Sequence, residues 1–129
     1  MGSIVITTFI EGVLIKTMLV RRIRPFVTFP SATLFSTIPT TFSFPSGQAA
    51  NAFAVATFFA LVLQKRILTM VFFVFSIIIA IGRVYLGAHY PLDVMVGSLI
   101  GIVIGKLVFE YFRKTKWGTL TLQKEKKNV

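Results

Sequence analysis

A chain of 129 residues that is 55% hydrophobic and 14% charged, with mean hydropathy +0.82, is too apolar for a water-soluble domain of its size. It reads as a polytopic membrane protein. The absence of cysteine excludes disulfides, thiolate catalysis and cysteine metal sites, and a single histidine beside four acidic residues argues against a dedicated metal site. The net charge of +10 lies outside the apolar runs, so it reads as topology and lipid-surface contact and not as nucleic-acid binding.

Four apolar segments follow one another, over about residues 4–20, 47–63, 67–81 and 91–112. Each is too long for an ordinary strand, and together they predict an all-α, multi-pass membrane bundle of about four transmembrane helices. The first carries Glu11 and Lys16, and no basic segment with a cleavage site precedes it, so no signal peptide is expected. Residues 21–45 hold Pro25, Pro30, Pro39 and Pro45, which break any continuous helix and predict an ordered or re-entrant loop. Gln64-Lys65-Arg66 predicts a tight turn. The chain becomes basic and polar after Phe112, and is expected to fray there.

Four spans place the 21–45 loop and the 82–90 loop on one side. The Lys65-Arg66 turn and the tail, with Arg113, Lys114, Lys116, Lys124, Lys126 and Lys127, fall on the other. The positive-inside rule then puts the tail in the cytoplasm and the histidine loop on the extracytoplasmic face of the cell membrane. Gly97, Gly101 and Gly105 recur every fourth residue, as do Ala52, Ala56 and Ala60. Small residues at that spacing let membrane helices approach closely, so the two stripes are expected to face each other or similar neighbours.

Three polar clusters gather on the loop side. The first is Arg21-Arg22-Ile23-Arg24-Pro25. Arg21 and Arg22 fit arginines snorkelling to the interface, whereas Arg24, held extended by Pro25, suits an inward-facing anion fork. The second is Phe44-Pro45-Ser46-Gly47-Gln48. Ser46 is a good N-cap, Gly47 permits close approach to the backbone, and a helix N-terminus offers amides to an anion. The third runs from Gly82 to Asp93 and holds Arg83 and His89. His89 and Asp93, four residues apart, share a helix face, so the carboxylate can orient the ring. Pro91 suits a first helical turn, where Asp93 also serves as a capping group. Taken jointly, two arginines, a helix N-terminus and a His–Asp pair on one face predict phosphate chemistry.

In order and spacing these clusters resemble the signature of the type 2 phosphatidic acid phosphatase (PAP2) superfamily: K-x6-R-P, then P-S-G-H, then S-R-x5-H-x3-D. Here the matching residues are Arg24-Pro25, Pro45-Ser46-Gly47, and Arg83 with His89 and Asp93. The 82–93 stretch looks most like bacterial and archaeal members that dephosphorylate polyprenyl diphosphates such as undecaprenyl diphosphate. The resemblance implies a metal-independent, cofactor-free phosphatase with a catalytic transmembrane domain over residues 1–112 and a basic tail over 113–129. It implies that His89 attacks phosphorus to form a phosphohistidine, that Asp93 holds its other ring nitrogen, and that Arg24, Arg83, Ser46 and Gly47 grip the phosphate. Its implied partners are a lipid phosphate or diphosphate substrate and membrane lipids.

Three positions depart from the pattern. Seven residues separate Lys16 from Arg24 where the family has six, so the lysine's phosphate contact falls to Lys16 through a local bulge or to Arg21 or Arg22. Gly82 replaces a serine. Gln48 replaces the histidine that protonates the leaving group, and glutamine can donate a hydrogen bond but cannot act as general acid. Gln48 therefore implies either a diphosphate substrate, whose phosphate leaving group needs little protonation, or an impaired homologue that binds lipid phosphates without turnover. The Arg-Pro motif follows the first span instead of the third. That implies a minimal member completed as a homo-oligomer, or N-terminal helices absent from the sequence.

Overall fold

The structure is a computed structural model that describes residues 23–25, 42–115, 118–120 and 123. Over these residues it is helical and contains no strand. Three helices carry the architecture: α1 (Gly47–Leu63), α2 (Arg66–Tyr85) and α3 (Pro91–Arg113). The first apolar segment, most of the 21–45 loop, Lys16, Arg21, Arg22 and most of the tail lie outside the described residues.

Helix ends fall where the chemistry of the chain changes. Gln64 takes the left-handed conformation (φ 52°) and its amide closes on the Ala60 carbonyl, ending α1. The third apolar segment, expected over residues 67–81, continues to Tyr85 because nothing from Gly82 to Tyr85 forbids a helix. It stops at Gly87 (φ 64°), in a Schellman arrangement: the Gly87 amide donates to the Val84 carbonyl and the Ala88 amide to the Arg83 carbonyl. Pro91 then opens α3 at its first position, where no amide is needed.

α1 lies between its two neighbours and packs against both, whereas α2 and α3 barely touch. The α1–α3 contact is a backbone-to-backbone approach. A methyl group on Gly97, Gly101 or Gly105 would overlap the carbonyls of Ser46, Ala50 and Ala54 respectively. The glycine stripe therefore does find a small-residue partner on α1, but the line it meets is Ser46–Ala50–Ala54 and not Ala52–Ala56–Ala60. Both lines repeat every four residues, so spacing alone does not choose between them. Ala49, Phe53, Ala80 and Val94 form the core, and Phe53 meets Phe73 edge to face with ring centroids 6.0 Å apart.

Large apolar side chains point outward along α2 (Ile67, Val71, Val74, Ile78, Ile81) and α3 (Met95, Leu99, Val103, Leu107). That is the pattern of helices facing lipid, and both are long and apolar enough to cross a membrane. α1, at 17 residues, is shorter. Among the described residues two such helices are present, against the four expected from the whole sequence.

Candidate active site

The antiparallel run of the helices brings the start of α1, the end of α2 and the start of α3 to one end of the bundle. A backbone hydrogen bond from the Ser46 amide to the Asp93 carbonyl (2.9 Å) ties the two N-termini together. Ser46 occupies the N-cap position of α1, yet its hydroxyl makes no capping bond. The backbone tie to α3 holds the helix start instead, and the hydroxyl is fully buried with no hydrogen-bond partner among the described residues. Helix geometry leaves the amides of Gly47, Gln48 and Ala49 without intrahelical acceptors.

The Schellman turn carries the chain from α2 back into the protein and delivers His89 to its interior. His89 is 1% exposed and Asp93 0%. His89 Nδ1 lies 2.7 Å from the Ser43 carbonyl oxygen. A carbonyl can only accept, so Nδ1 carries the proton and, in the neutral ring, the lone pair resides on Nε2. One oxygen of the Asp93 carboxylate accepts the Tyr90 amide at 3.0 Å, holding the first turn of α3 in place. The resemblance gives Asp93 the other nitrogen of the ring; the described contact at Nδ1 is the Ser43 carbonyl.

Arg24, distant in sequence, reaches the same loop. Its Nη1 donates to the Ala88 carbonyl (3.2 Å), one residue before the histidine, and the side chain is 7% exposed. Burial lowers its pKa from the ordinary arginine value, and the nearby Arg83 guanidinium lowers it further, while Asp93 acts in the opposite sense. Arg24 nonetheless remains a cation. Two guanidiniums that repel each other, beside a single carboxylate among the described residues, make this end of the bundle receptive to an anion. Arg83 Nε is also buried with no hydrogen-bond partner among the described residues, as is the Ser43 hydroxyl. A phosphate presents acceptors to donors of this kind.

Of the residues singled out by sequence, Arg24, Ser46, Gly47, Arg83, His89 and Asp93 converge here. Gln48 follows them on the first turn of α1 but is exposed, and Lys16 lies outside the described residues. Among the described residues no group of three His, Asp or Glu side chains gathers. Sequence reasoning missed the carbonyls of Ser43 and Ala88, which hold the ring and the guanidinium. Backbone acceptors leave no signature in residue identity.

Comparison with known proteins points the same way. The chain is 40% identical over 60 residues to the lipid A 4'-phosphatase of Bacteroides thetaiotaomicron, covering 46% of this chain and 27% of that protein. It is 31% identical over 88 residues to an undecaprenyl-diphosphatase of Bacillus subtilis, covering 68% of this chain and 44% of the relative. An undecaprenyl-diphosphatase of Sulfolobus acidocaldarius is 32% identical over 80 residues, covering 62% and 38%. The chain thus spans less than half the length of these relatives. No solved structure matches it. The sequence profile of the PAP2 superfamily matches residues 1–117, the stretch holding every cluster described above, and the chain belongs to that superfamily.

Proposed function

We propose that this protein is a membrane lipid-phosphate phosphatase that hydrolyses a polyprenyl diphosphate to the monophosphate through a phosphohistidine on His89. The observation that carries the reading is the buried His89 ring, with Nδ1 fixed on the Ser43 carbonyl beside Arg24 and Arg83. Nε2 attacks the terminal phosphorus while the bond to the bridging oxygen breaks and the lipid monophosphate leaves. Arg24, Arg83 and the first amides of α1 stabilise the charge on the transferring group. The imidazolium that forms keeps its Nδ1 proton on Ser43 and lies in the field of Asp93. Water then attacks phosphorus, the P–N bond breaks, inorganic phosphate departs with the water's second proton on an oxygen, and His89 returns to its neutral form. The positive charge needed comes from arginines, so the proposed chemistry uses no metal.

Gln48 supports a diphosphate over a phosphate monoester. A phosphate-ester leaving group departs without full protonation, and the exposed amide supplies at most a hydrogen bond. The relatives named for undecaprenyl diphosphate support the same class, while the one named for lipid A belongs to the monoester side. On this reading residues 1–112 form the catalytic unit, the site faces the extracytoplasmic side, and the basic tail is cytoplasmic.

The test is phosphate release from undecaprenyl diphosphate, phosphatidate and a soluble monoester in detergent, with and without a chelator. Turnover of the diphosphate that resists chelation, disappears in His89→Ala and passes through an acid-labile, base-stable phosphoenzyme is the expected result. A second reading rests on Gln48 alone: a protein that binds lipid phosphates without hydrolysing them. Saturable binding of the diphosphate with no phosphate released would establish it.

A further inference from the structure

A groove of about 430 Å³ runs between α1 and α2, within the ~300–1,000 Å³ range of small-molecule sites. Its floor is made of the small residues Ala52, Ala56 and Ser76, and its walls of Val55, Phe72, Phe75 and Ile79. The floor is low for a reason visible in the hydrogen bonds. The single proton of the Ser76 hydroxyl is shared between the Ala52 carbonyl on the facing helix (3.0 Å) and the Phe72 carbonyl on its own (2.9 Å), linking α2 to α1 without adding bulk. The mouth is polar. Gln48 lines it, and one turn further on stands Asn51, whose Oδ1 is buried with no hydrogen-bond partner among the described residues.

Gln48 lines the groove and lies on the first turn of α1, two residues after Ser46 of the site. The resemblance gives its position in the motif to the leaving group, which in the proposed reaction carries the lipid chain. From Gln48 to Ala56 the helix advances about 12 Å, so the groove leads from the phosphate end into the apolar middle of the bundle. A polar mouth with amide groups above an apolar trough matches an amphiphile whose phosphate sits at the mouth and whose chain lies below. A second groove of about 430 Å³, between α2 and α3 and lined by Ala80, Val84, Pro91 and Val94 among others, contains none of the site residues.

We propose that the α1–α2 groove receives the first isoprenoid units of the substrate's leaving group, with the side-chain NH2 groups of Gln48 and Asn51 donating to its proximal phosphate while Asn51 Oδ1 only accepts. This inference rests on the phosphatase reading above. It makes Asn51 a binding residue and the width of the trough at Ala52 a determinant of chain selectivity.

The probe is the diphosphate of a three-isoprene alcohol carrying a diazirine in its second isoprene unit, photolysed on the full protein in detergent, with adducts mapped by mass spectrometry. Adducts at Val55, Phe72 or Phe75 that unlabelled diphosphate competes away are expected, whether or not the protein turns substrate over. In parallel, Ala52→Phe should lower the ratio of kcat/KM on a long-chain to a two-isoprene diphosphate by about tenfold, as filling an apolar pocket does. Competed adducts on α2 and α3 at Ala80 or Val94, or none in the α1–α2 groove while phosphate is released, overturn the groove and leave the phosphatase reading standing. Groove adducts without phosphate release uphold the groove and favour the non-hydrolysing reading. No competed adduct and no turnover overturn both.

Discussion

Gly97→Ala probes how the bundle positions its chemistry. The added methyl overlaps the Ser46 carbonyl, a backbone atom at the start of α1 that cannot rotate aside. Relief requires the start of α1 to retreat from α3 by about 1 Å to regain van der Waals contact. The Ser46 amide, which donates to the Asp93 carbonyl, moves with it, and so do the amides of Gly47 and Gln48. Overpacking of this kind costs about 1–3 kcal/mol, and a ~1 Å displacement of a positioned group costs on the order of 100-fold in rate. The expected outcome is a lowered thermal unfolding temperature in detergent together with a ~100-fold loss of kcat/KM for diphosphate hydrolysis. Gly101→Ala meets the Ala50 carbonyl one turn deeper and should show a similar stability loss with a smaller loss of turnover. Gly82→Ala meets nothing within 4 Å and should be neutral or gain up to about 1 kcal/mol from helix propensity. Wild-type turnover and unfolding in Gly97→Ala would refute the close α1–α3 approach and the site built on it.

Substitutions at three further positions separate roles that the geometry superimposes. Asp93→Asn keeps an oxygen to accept the Tyr90 amide, so unfolding should shift by no more than about 1 kcal/mol. Turnover should fall at least ~100-fold if the carboxylate's charge supports the imidazolium, and an unchanged kcat would restrict Asp93 to capping. Gln48→His should raise phosphate release from a monoester by about 100-fold while changing diphosphate release little, measured side by side in detergent. Gly87→Ala forces a side chain into a φ of 64° and should cost about 1–2 kcal/mol of stability, seen by thermal unfolding. Gly87→Asn should recover part of that cost, because asparagine tolerates the left-handed region.

What could be read from the chain was what side-chain identity and spacing encode. Pro91 and Ser46 marked the starts of α3 and α1, the glycine stripe marked the face of α3 that meets a neighbour, and the motif spacings named the residues that converge at one end. The facing line on α1 was not legible, because Ala50 and Ala54 are as small as Ala52 and Ala56 and only the crossing of the helices selects between them. Apolarity marked α2 only over residues 67–81, short for a span and open to extension into its flanks; Arg83 and Tyr85 look like loop residues, but a helix runs until its backbone is turned, and Gly87 turns it.

The site itself follows the same division. Its charges and its proposed nucleophile are side chains and were legible as such, whereas the groups that hold them still are main-chain carbonyls. Ser43 fixes the ring of His89, and Ala88 holds Arg24 one residue away from that ring. Both contacts join the loop before α1 or the residues around Arg24 to the turn before α3, across sequence separations of 46 and 64 residues. The Schellman turn at Gly87 therefore connects fold to chemistry. It presents the Ala88 carbonyl to the arginine and the His89 ring to Ser43 at once, so a single backbone conformation sets the proposed nucleophile and the proposed anion-binding arginine together. Substitutions that leave every motif residue intact but disturb that turn should weaken phosphate binding and nucleophilic attack in parallel, lowering kcat and raising KM in the same variant.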